Sequence, residues 1–412
     1  MTDRTQDALS LFQTVRERST AMCAPLELED YTLQSMPDAS PWTWHLAHTT
    51  WFFDTFVVQR DGRSSVAPDP SFHHLYNSYY NGVGTPYSRE RRGLISRPGV
   101  RGIVAYRAAV DSAVREILES GDDPEVATLV TLGCNHEQQH QELMLTDLLH
   151  AWSFNPCMPV YDTRPAAPAQ SARDIGWVAR PEAVTEVGHE GAGFHYDNEA
   201  PRHRVLVHAH EMADRLVNNA EWMAFIEDGG YERPELWLAE GWATVQAEEW
   251  AAPLYWQQHN GVWTQRSLQG EHEIAPAVPV AHVSHFEADA YARWVGVRLP
   301  TEFEWETYAR SSALRGNLAE DGALAPRPPS NGRHVFGDLW QWTSSSYAPY
   351  PGYAPPPGAL GEYNGKFMSN QYVLRGGSFA TSQRHIRDTY RNFFPSSARW
   401  QFSGVRLCRD AQ

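Results

Sequence analysis

Cysteine is scarce in this chain and poorly spaced for its common structural uses. Cys23, Cys134, Cys157 and Cys408 are scattered over 412 positions with no C-x-x-C pair. That excludes a disulfide framework and a cysteine zinc cage, and reads as free thiols of a reducing cytosol. No run approaches the roughly 18 apolar residues of a membrane span. The opening MTDRTQDALSLFQTVRERST is charged and helix-forming, with no apolar signal core. A cytoplasmic protein without a membrane partner is expected. Positive charge is also short: 34 Lys and Arg stand against 50 Asp and Glu, a formal net charge of -16. That balance disfavours nucleic acid or an anionic surface as the main partner. No segment repeats at a fixed period.

Aromatic residues are plentiful, with 16 Trp and 18 Tyr, which calls for large irregular cores or stacking pockets. The chain is too long for one core and suggests two domains or more. Residues 1–155 read as helices. TQDALSLFQTVRERSTAMCAPL has helical apolar spacing with Thr5 as a candidate N-cap. SPWTWHLAHTTWFFDTFVVQR opens on the cap and first-turn pair Ser40-Pro41 and is apolar nearly all round. GVRGIVAYRAAVDSAVREILES is amphipathic and stops at Gly121, and DDPEVATLVTLGCNHEQQHQELMLTDLLHAW carries acids and Pro124 in its first turn. Four such helices fit an up-and-down bundle, a scaffold that builds metal sites from facing helices. The long connection between the second and third helices is too long for a simple turn and is therefore a functional candidate.

Residues 156–176, NPCMPVYDTRPAAPAQSARD and its flanks, read as a Pro/Ala-rich linker. Residues 177–412 change texture. Short β-like runs (HRVLVHA, QYVLRGG, GVRLCRD) and two short helices (VNNAEWMAFIEDGG, SHFEADAYARWVG) lie among Gly/Pro/Trp-rich loops. The fold class is α+β in two domains.

The chemistry concentrates in LGCNHEQQHQELMLTDLLH. His136 and His140 are four apart and stack on one helix face, with Glu137 beside the first. HEQQH satisfies H-E-x-x-H, the zinc-hydrolase pattern in which Glu is the general base; the plainer alternative is an ordinary bundle helix whose histidines are satisfied by hydrogen bonds. The second helix adds His45 and His48 within WHLAHTTWFF. One of these with His136 and His140 makes a three-imidazole face with open positions, suited to Zn, Fe, Cu or Ni.

SPWTWHLAHTTWFF, YNSYYNGVG, RGLISRP and HEQQHQELMLTDLLH resemble, in that order, the N-terminal DinB-like four-helix bundle of ergothioneine-biosynthesis sulfoxide synthases. YDNEAPRHRV, RLPTEFEWE, FGDLWQWTSSSY, GEYNGKFMSNQYVLRGGSFAT and TYRNFFPSSARWQFSGVRL resemble their C-terminal domain. That domain has the formylglycine-generating-enzyme (sulfatase-modifying-factor, C-type-lectin-like) fold. The resemblance implies a mononuclear non-haem Fe(II) oxidoreductase. Such an enzyme uses O₂ to join a cysteine-type thiol to C2 of the imidazole of hercynine (Nα-trimethylhistidine) as a sulfoxide. It implies His48, His136 and His140 as iron ligands, with His45 a neighbour, and Tyr79 and Tyr80 as the catalytic pair. Arg89 and Arg92 become the grip on the thiol substrate's carboxylate. Gln139, Asn392, Phe393 and Phe394 become hercynine contacts, the rings facing a trimethylammonium that cannot accept a hydrogen bond.

Phe393-Phe394 stands where other branches of the family it resembles carry an acid or a different residue shortly after the Asn; the absence of an acid favours cysteine over γ-glutamylcysteine as donor. A selenoneine synthase using a selenosugar donor shares the architecture. A zinc hydrolase and a non-catalytic DinB-like binding protein are the alternatives from other classes. Formylglycine-type oxidation needs cysteines in the C-terminal domain, where only Cys408 lies. The chain's end at GVRLCRDAQ is read against the ovothiol synthases, which carry a methyltransferase domain beyond this fold.

Overall fold

The computed structural model describes residues 3–121, 123–164, 173–328 and 334–411; part of the expected linker therefore lies outside the described residues. The chain forms two compact units, Met1–Cys157 with Pro356–Tyr363, and Met158–Pro355 with Asn364–Gln412. All four cysteines are free thiols.

The first unit is helical: α1 (Asp3–Ala21), α2 (Trp42–Phe53), the single turn α3 (Phe72–Leu75), α4 (Val100–Ser120) and α5 (Pro124–Ser153). Each long helix follows from its pattern. Asp123 caps α5 by accepting from the Glu125 N–H, and Pro124 fills the first turn, where no N–H is needed. On α4 Ile103, Tyr106, Val110, Val114 and Leu118 recur at helical spacing and are buried. In α2 all but one of the residues from Trp42 to Phe53 are buried, so it is the central helix of the unit rather than a surface one. Gly133 lets α5 approach it closely: a Cβ there would meet Phe53 Cε1 at 2.5 Å.

Two expected caps are placed differently. The first helix already starts at Asp3, so Thr5 lies inside it and is buried. Helix α2 has no side-chain cap, because its cap position falls on Pro41, which carries no side-chain acceptor; Ser40, one residue earlier, accepts from Arg92 Nη1 on its hydroxyl and donates its N–H to the Asp147 carboxylate.

The second unit is a set of small sheets. Strands β1 (Trp177–Arg180), β4 (His210–Ala213) and β14 (Cys408–Asp410) pair in the order β1-β4-β14. Strands β12 (Asn392–Phe394), β11 (Tyr372–Arg375), β10 (Trp340–Ser346) and β13 (Ser403–Gly404) form a second sheet in that order. The hairpin β2-β3 (Ala183–Val187, His203–Val207), the meander β5-β6-β7 (Trp256–His259, Val262–Ser267, Gly270–Glu273) and the pair β8-β9 (Gly316–Asn317, Phe336–Gly337) complete it.

The expected helices form as α6 (Asn219–Glu227) and α8 (His285–Trp294), each with a capping box, from Asn218 and Ser284 respectively. Helices α7 (Ala239–Ala247) and α9 (Glu302–Ala309) join them. The capping box Thr301/Glu304 is the start signal of α9 that the fold class alone does not reveal. Much irregular backbone is satisfied by buried arginines that are themselves paired: Arg375 with Glu306 at 2.7 Å, and Arg391 with Glu302 at 2.8 Å. No described helix is long and apolar enough to cross a membrane.

Candidate metal centre

Helices α2 and α5 cross at the histidines. One ring nitrogen each from His48, His136 and His140 lies within 4.8 Å of the others. The i, i+4 spacing puts two on one face of α5, and His48 reaches across from α2. Nδ1 of His48 is 2.6 Å from the Tyr76 carbonyl oxygen. It must donate there, so the bare lone pair is on Nε2, which is buried and has no partner. Both ring nitrogens of His136 are likewise buried without a partner. Burial, followed by the neighbouring imidazoles, pushes His48 and His140 well below their ordinary value, and burial brings His136 down to about 3. All three are neutral at pH 7. Buried, partnerless nitrogens of His48 and His136, with a ring nitrogen of His140 beside them, fit a cation held by imidazole. Trp44 stacks on His48, centroids 4.6 Å apart, and closes one side.

Glu137 belongs to a different environment. It has no solvent exposure and accepts from Arg16 Nη1 at 2.8 Å, from Ser19 Oγ at 2.5 Å and from Arg107. Burial alone would raise its pKa, but the two guanidinium charges and the Ser19 bond outweigh it and hold the carboxyl at about 2. A carboxylate fixed in that network by two guanidinium groups and a hydroxyl is a weak base, and its oxygens are already engaged. The hydrolase reading of HEQQH loses its general base.

The connection between α2 and α4 supplies the tyrosines. Asn77 staples the loop: its amide donates to the Tyr80 and Gly84 carbonyls at 2.9 and 3.1 Å, and its Oδ1 accepts from the Tyr80 N–H at 2.9 Å. Tyr80 has no solvent exposure and is wedged among Trp51, Phe52 and Phe56. Tyr79 stacks on it, centroids 4.6 Å and hydroxyls 3.5 Å apart. The segment Pro356–Tyr363 packs onto this loop as part of the same unit. Glu362 accepts from the Asn81 N–H at 3.1 Å and from the Gly82 N–H at 2.7 Å. Tyr363 donates to Gln139 Oε1, and its ring stands edge-on to His136 at 5.6 Å and to Tyr79 at 6.4 Å.

Residues 11–152 match the DinB superfamily model, and residues 179–329 and 331–411 match the sulfatase-modifying factor enzyme 1-like domain. The chain is 32% identical to a hercynine oxygenase of Mycolicibacterium smegmatis over 96% of both chains. It is 33% identical to one of Mycolicibacterium thermoresistibile over 91% of this chain and 88% of that one. The chain belongs to the hercynine oxygenase family, the ergothioneine-biosynthesis sulfoxide synthases. It is therefore an oxidoreductase, and a non-catalytic binding role is set aside. The chain also shares 30% identity with a formylglycine-generating enzyme of Streptomyces coelicolor, over 57% of this chain and 86% of that one.

In this hercynine oxygenase family member the two arginines have different surroundings. Arg89 is half exposed and turned to Asp38, donating to its carbonyl, with the carboxylate 3.7 Å away. Arg92 is buried, lies 3.4 Å over the Trp44 ring, and donates to Ser40 Oγ and Ser78 Oγ, each at 2.9 Å. No carboxylate of the described residues pairs with it. Its charge is felt by both His48 and His140. Asn392, Phe393 and Phe394 form β12 in the second unit. Asn392 Oδ1 accepts from the Phe393 N–H at 2.9 Å, Phe393 stacks on Tyr347 at 4.0 Å, and Phe394 meets Trp400 edge-on at 6.3 Å.

Three neighbours of the site escaped the reading of individual residues. Tyr363 and Glu362 sit in a block noted only for its resemblance, and no spacing ties them to residues some 220 to 280 positions earlier. Asp147 was recoverable: it lies seven after His140 and eleven after His136, on the same helical face.

Proposed function

We propose that the protein is an iron(II)-dependent sulfoxide synthase joining the sulfur of cysteine to C2 of hercynine, with dioxygen as co-substrate. The observation that carries the reading is the three-imidazole cluster, neutral and buried, in a chain aligned nearly end to end with hercynine oxygenases. The reaction balances as thiol plus imidazole C–H plus O₂ giving sulfoxide plus water. A C–S and an S–O bond form, the S–H and C2–H protons leave, and O₂ takes four electrons. His48, His136 and His140 would hold the iron, which supplies the redox chemistry when bound.

The chain's own groups then have separable tasks. Arg92, a buried cation with no carboxylate partner among the described residues, is the natural anchor for a substrate carboxylate; Arg89, already engaged with Asp38, assists from the surface. Gln139, oriented by the Tyr363 hydroxyl, is the polar contact for the hercynine imidazole. Asn392 and the rings of Phe393 and Phe394 are the proposed contacts of its trimethylammonium end. Tyr79 and Tyr80 are the catalytic pair, one of whose phenols gives the proton of the reaction.

The test is an anaerobic reconstitution with Fe(II), followed by O₂ and hercynine with cysteine, γ-glutamylcysteine or a selenosugar in parallel, read by mass spectrometry. A hercynine–cysteine sulfoxide conjugate is expected. Product with the second or third donor alone moves the donor assignment; no O₂ consumption with any donor refutes the reading.

A further inference from the structure

The three-histidine cluster is backed by a chain of polar atoms that runs away from it through the α2–α5 interface. His140 Nδ1 lies 2.8 Å from His45 Nδ1. The other nitrogen of His45, Nε2, lies 3.1 Å from Asp147 Oδ2. That same oxygen accepts from the Ser40 backbone N–H at 2.8 Å. His45 is 2% and Asp147 6% exposed, so water does not compete for these bonds. The carboxylate sits seven residues after His140 and on its face of α5, and His45 is three before His48 on α2. The line therefore ties one proposed ligand to the helix that carries another.

Hydrogen-bond polarity in such a line is decided at its end. An ionised carboxylate accepts only, and Asp147 is already oriented by the Ser40 N–H. His45 must therefore carry its proton on Nε2 to donate to Asp147. A neutral His45 then has a bare Nδ1, which can only accept, so His140 must carry its proton on Nδ1. That leaves the Nε2 lone pair of His140 bare. The opposite polarity would put the proton on His140 Nε2 and cancel it as a ligand.

We propose that Asp147 and His45 are positioning residues that lock His140 in its Nδ1–H tautomer, so that its Nε2 is presented as a metal donor. This deepens the three-histidine part of the functional reading and rests on it. It also accounts for two buried polar side chains, His45 and Asp147, to which the reaction assigns no task. It parallels His48, whose Nδ1 is committed to the Tyr76 carbonyl by a different acceptor. Two of the three histidines thus have their tautomer set from behind, one by a loop carbonyl and one by a carboxylate acting through an imidazole.

The test reads tautomers directly, in the metal-free full-length protein labelled with ¹⁵N-histidine, by long-range ¹H–¹⁵N correlation at neutral pH. His140 is expected as Nδ1–H and His45 as Nε2–H. Finding His140 as Nε2–H overturns the proposal. A second measurement uses His45→Phe, which keeps a ring in the same space. Its Co(II) affinity should fall about tenfold to a hundredfold, the usual cost of removing such a partner, with the helical circular-dichroism signal and melting of the metal-free form retained. Unchanged affinity in a folded variant also overturns it. If the variant does not fold, the tautomer measurement on the unaltered protein decides. Neither readout depends on turnover, so a protein that makes no sulfoxide yet shows these tautomers refutes the reaction while leaving the relay standing.

Discussion

Tyr79 and Tyr80 are adjacent in sequence yet differ in surroundings: Tyr80 is wholly enclosed by rings, Tyr79 only partly covered. Replacing either with Phe keeps the packing and removes one hydroxyl, so folding should survive. A thiol and O₂ alone balance to cysteine sulfinic acid; conjugate formation needs a proton delivered while the imidazole is in place. Tyr80→Phe, or failing that Tyr79→Phe, should shift product from sulfoxide conjugate towards sulfinic acid, with O₂ consumption falling less than conjugate formation. An unchanged product ratio in the double variant, measured by mass spectrometry, would reduce the pair to packing. The arginines divide similarly. Arg92→Ala should raise the cysteine KM about tenfold to a hundredfold, as for loss of a bond worth roughly 1.5–3 kcal/mol to a charged group. Arg89→Ala should do markedly less, and neither should move the hercynine KM comparably. Equal effects from the two arginines would end the distinction drawn from their burial.

The α2–α5 crossing carries the whole proposed ligand set, and Gly133 is where the two helices touch. Glycine inside a helix costs about 1 kcal/mol relative to alanine, so propensity alone favours Gly133→Ala. Packing decides otherwise, because the added methyl falls 2.5 Å from Phe53 Cε1 and 3.1 Å from Phe52 Cδ1. Overpacking of this kind costs typically 1–3 kcal/mol. Gly133→Ala should lower the melting temperature and weaken metal binding together, as His48 is pushed from His136 and His140. A stabilised variant with unchanged metal affinity would show that the crossing yields easily.

In the second unit, Glu199 is buried with Arg387 Nη2 at 2.6 Å, Thr389 Oγ1 at 2.5 Å and the Tyr196 N–H at 2.9 Å. Burial opposes its charge, but Arg387 and these bonds win and hold its carboxyl below the ordinary 4.5. A depressed carboxylate contributes stability that is fully present above the unfolded value and lost as pH falls through the folded one. Glu199→Gln should cost about 3–5 kcal/mol at pH 7 by stranding Arg387. In urea titrations the gap between wild type and variant should narrow as pH drops below about 4.5. A gap independent of pH would mean that the pair is not ionic.

At the scale of the whole chain, the sequence was legible wherever one local period dominates. The amphipathic stripe of α4, the all-round burial of α2 and the paired histidines of α5 are repeats within a few turns, and each element formed where its pattern lies. Caps were less legible: Ser40 has the right chemistry, yet the cap position of α2 falls one residue later, on Pro41, and Ser40 bonds Arg92 and Asp147 instead. Least legible was Pro356–Tyr363, which sits within the second domain by sequence texture and within the helical unit by contact. Long-range placement of a short, Pro-rich segment leaves no periodic trace. Its consequence can be measured. The Gly82 N–H donates to Oε1 of the Glu362 carboxylate, and the Asn81 N–H donates to its Oε2. Two backbone donors on one carboxylate hold the tyrosine loop from outside, as Asn77 does from within. Glu362→Ala removes the outer hold and leaves the Asn77 bonds. Amide hydrogen exchange at Gly82 should therefore accelerate strongly, while protection along α5 and in β10 and β11 stays as it was. If Gly82 exchanges at its wild-type rate in the variant, the loop is held by Asn77 alone and the segment is merely laid against it.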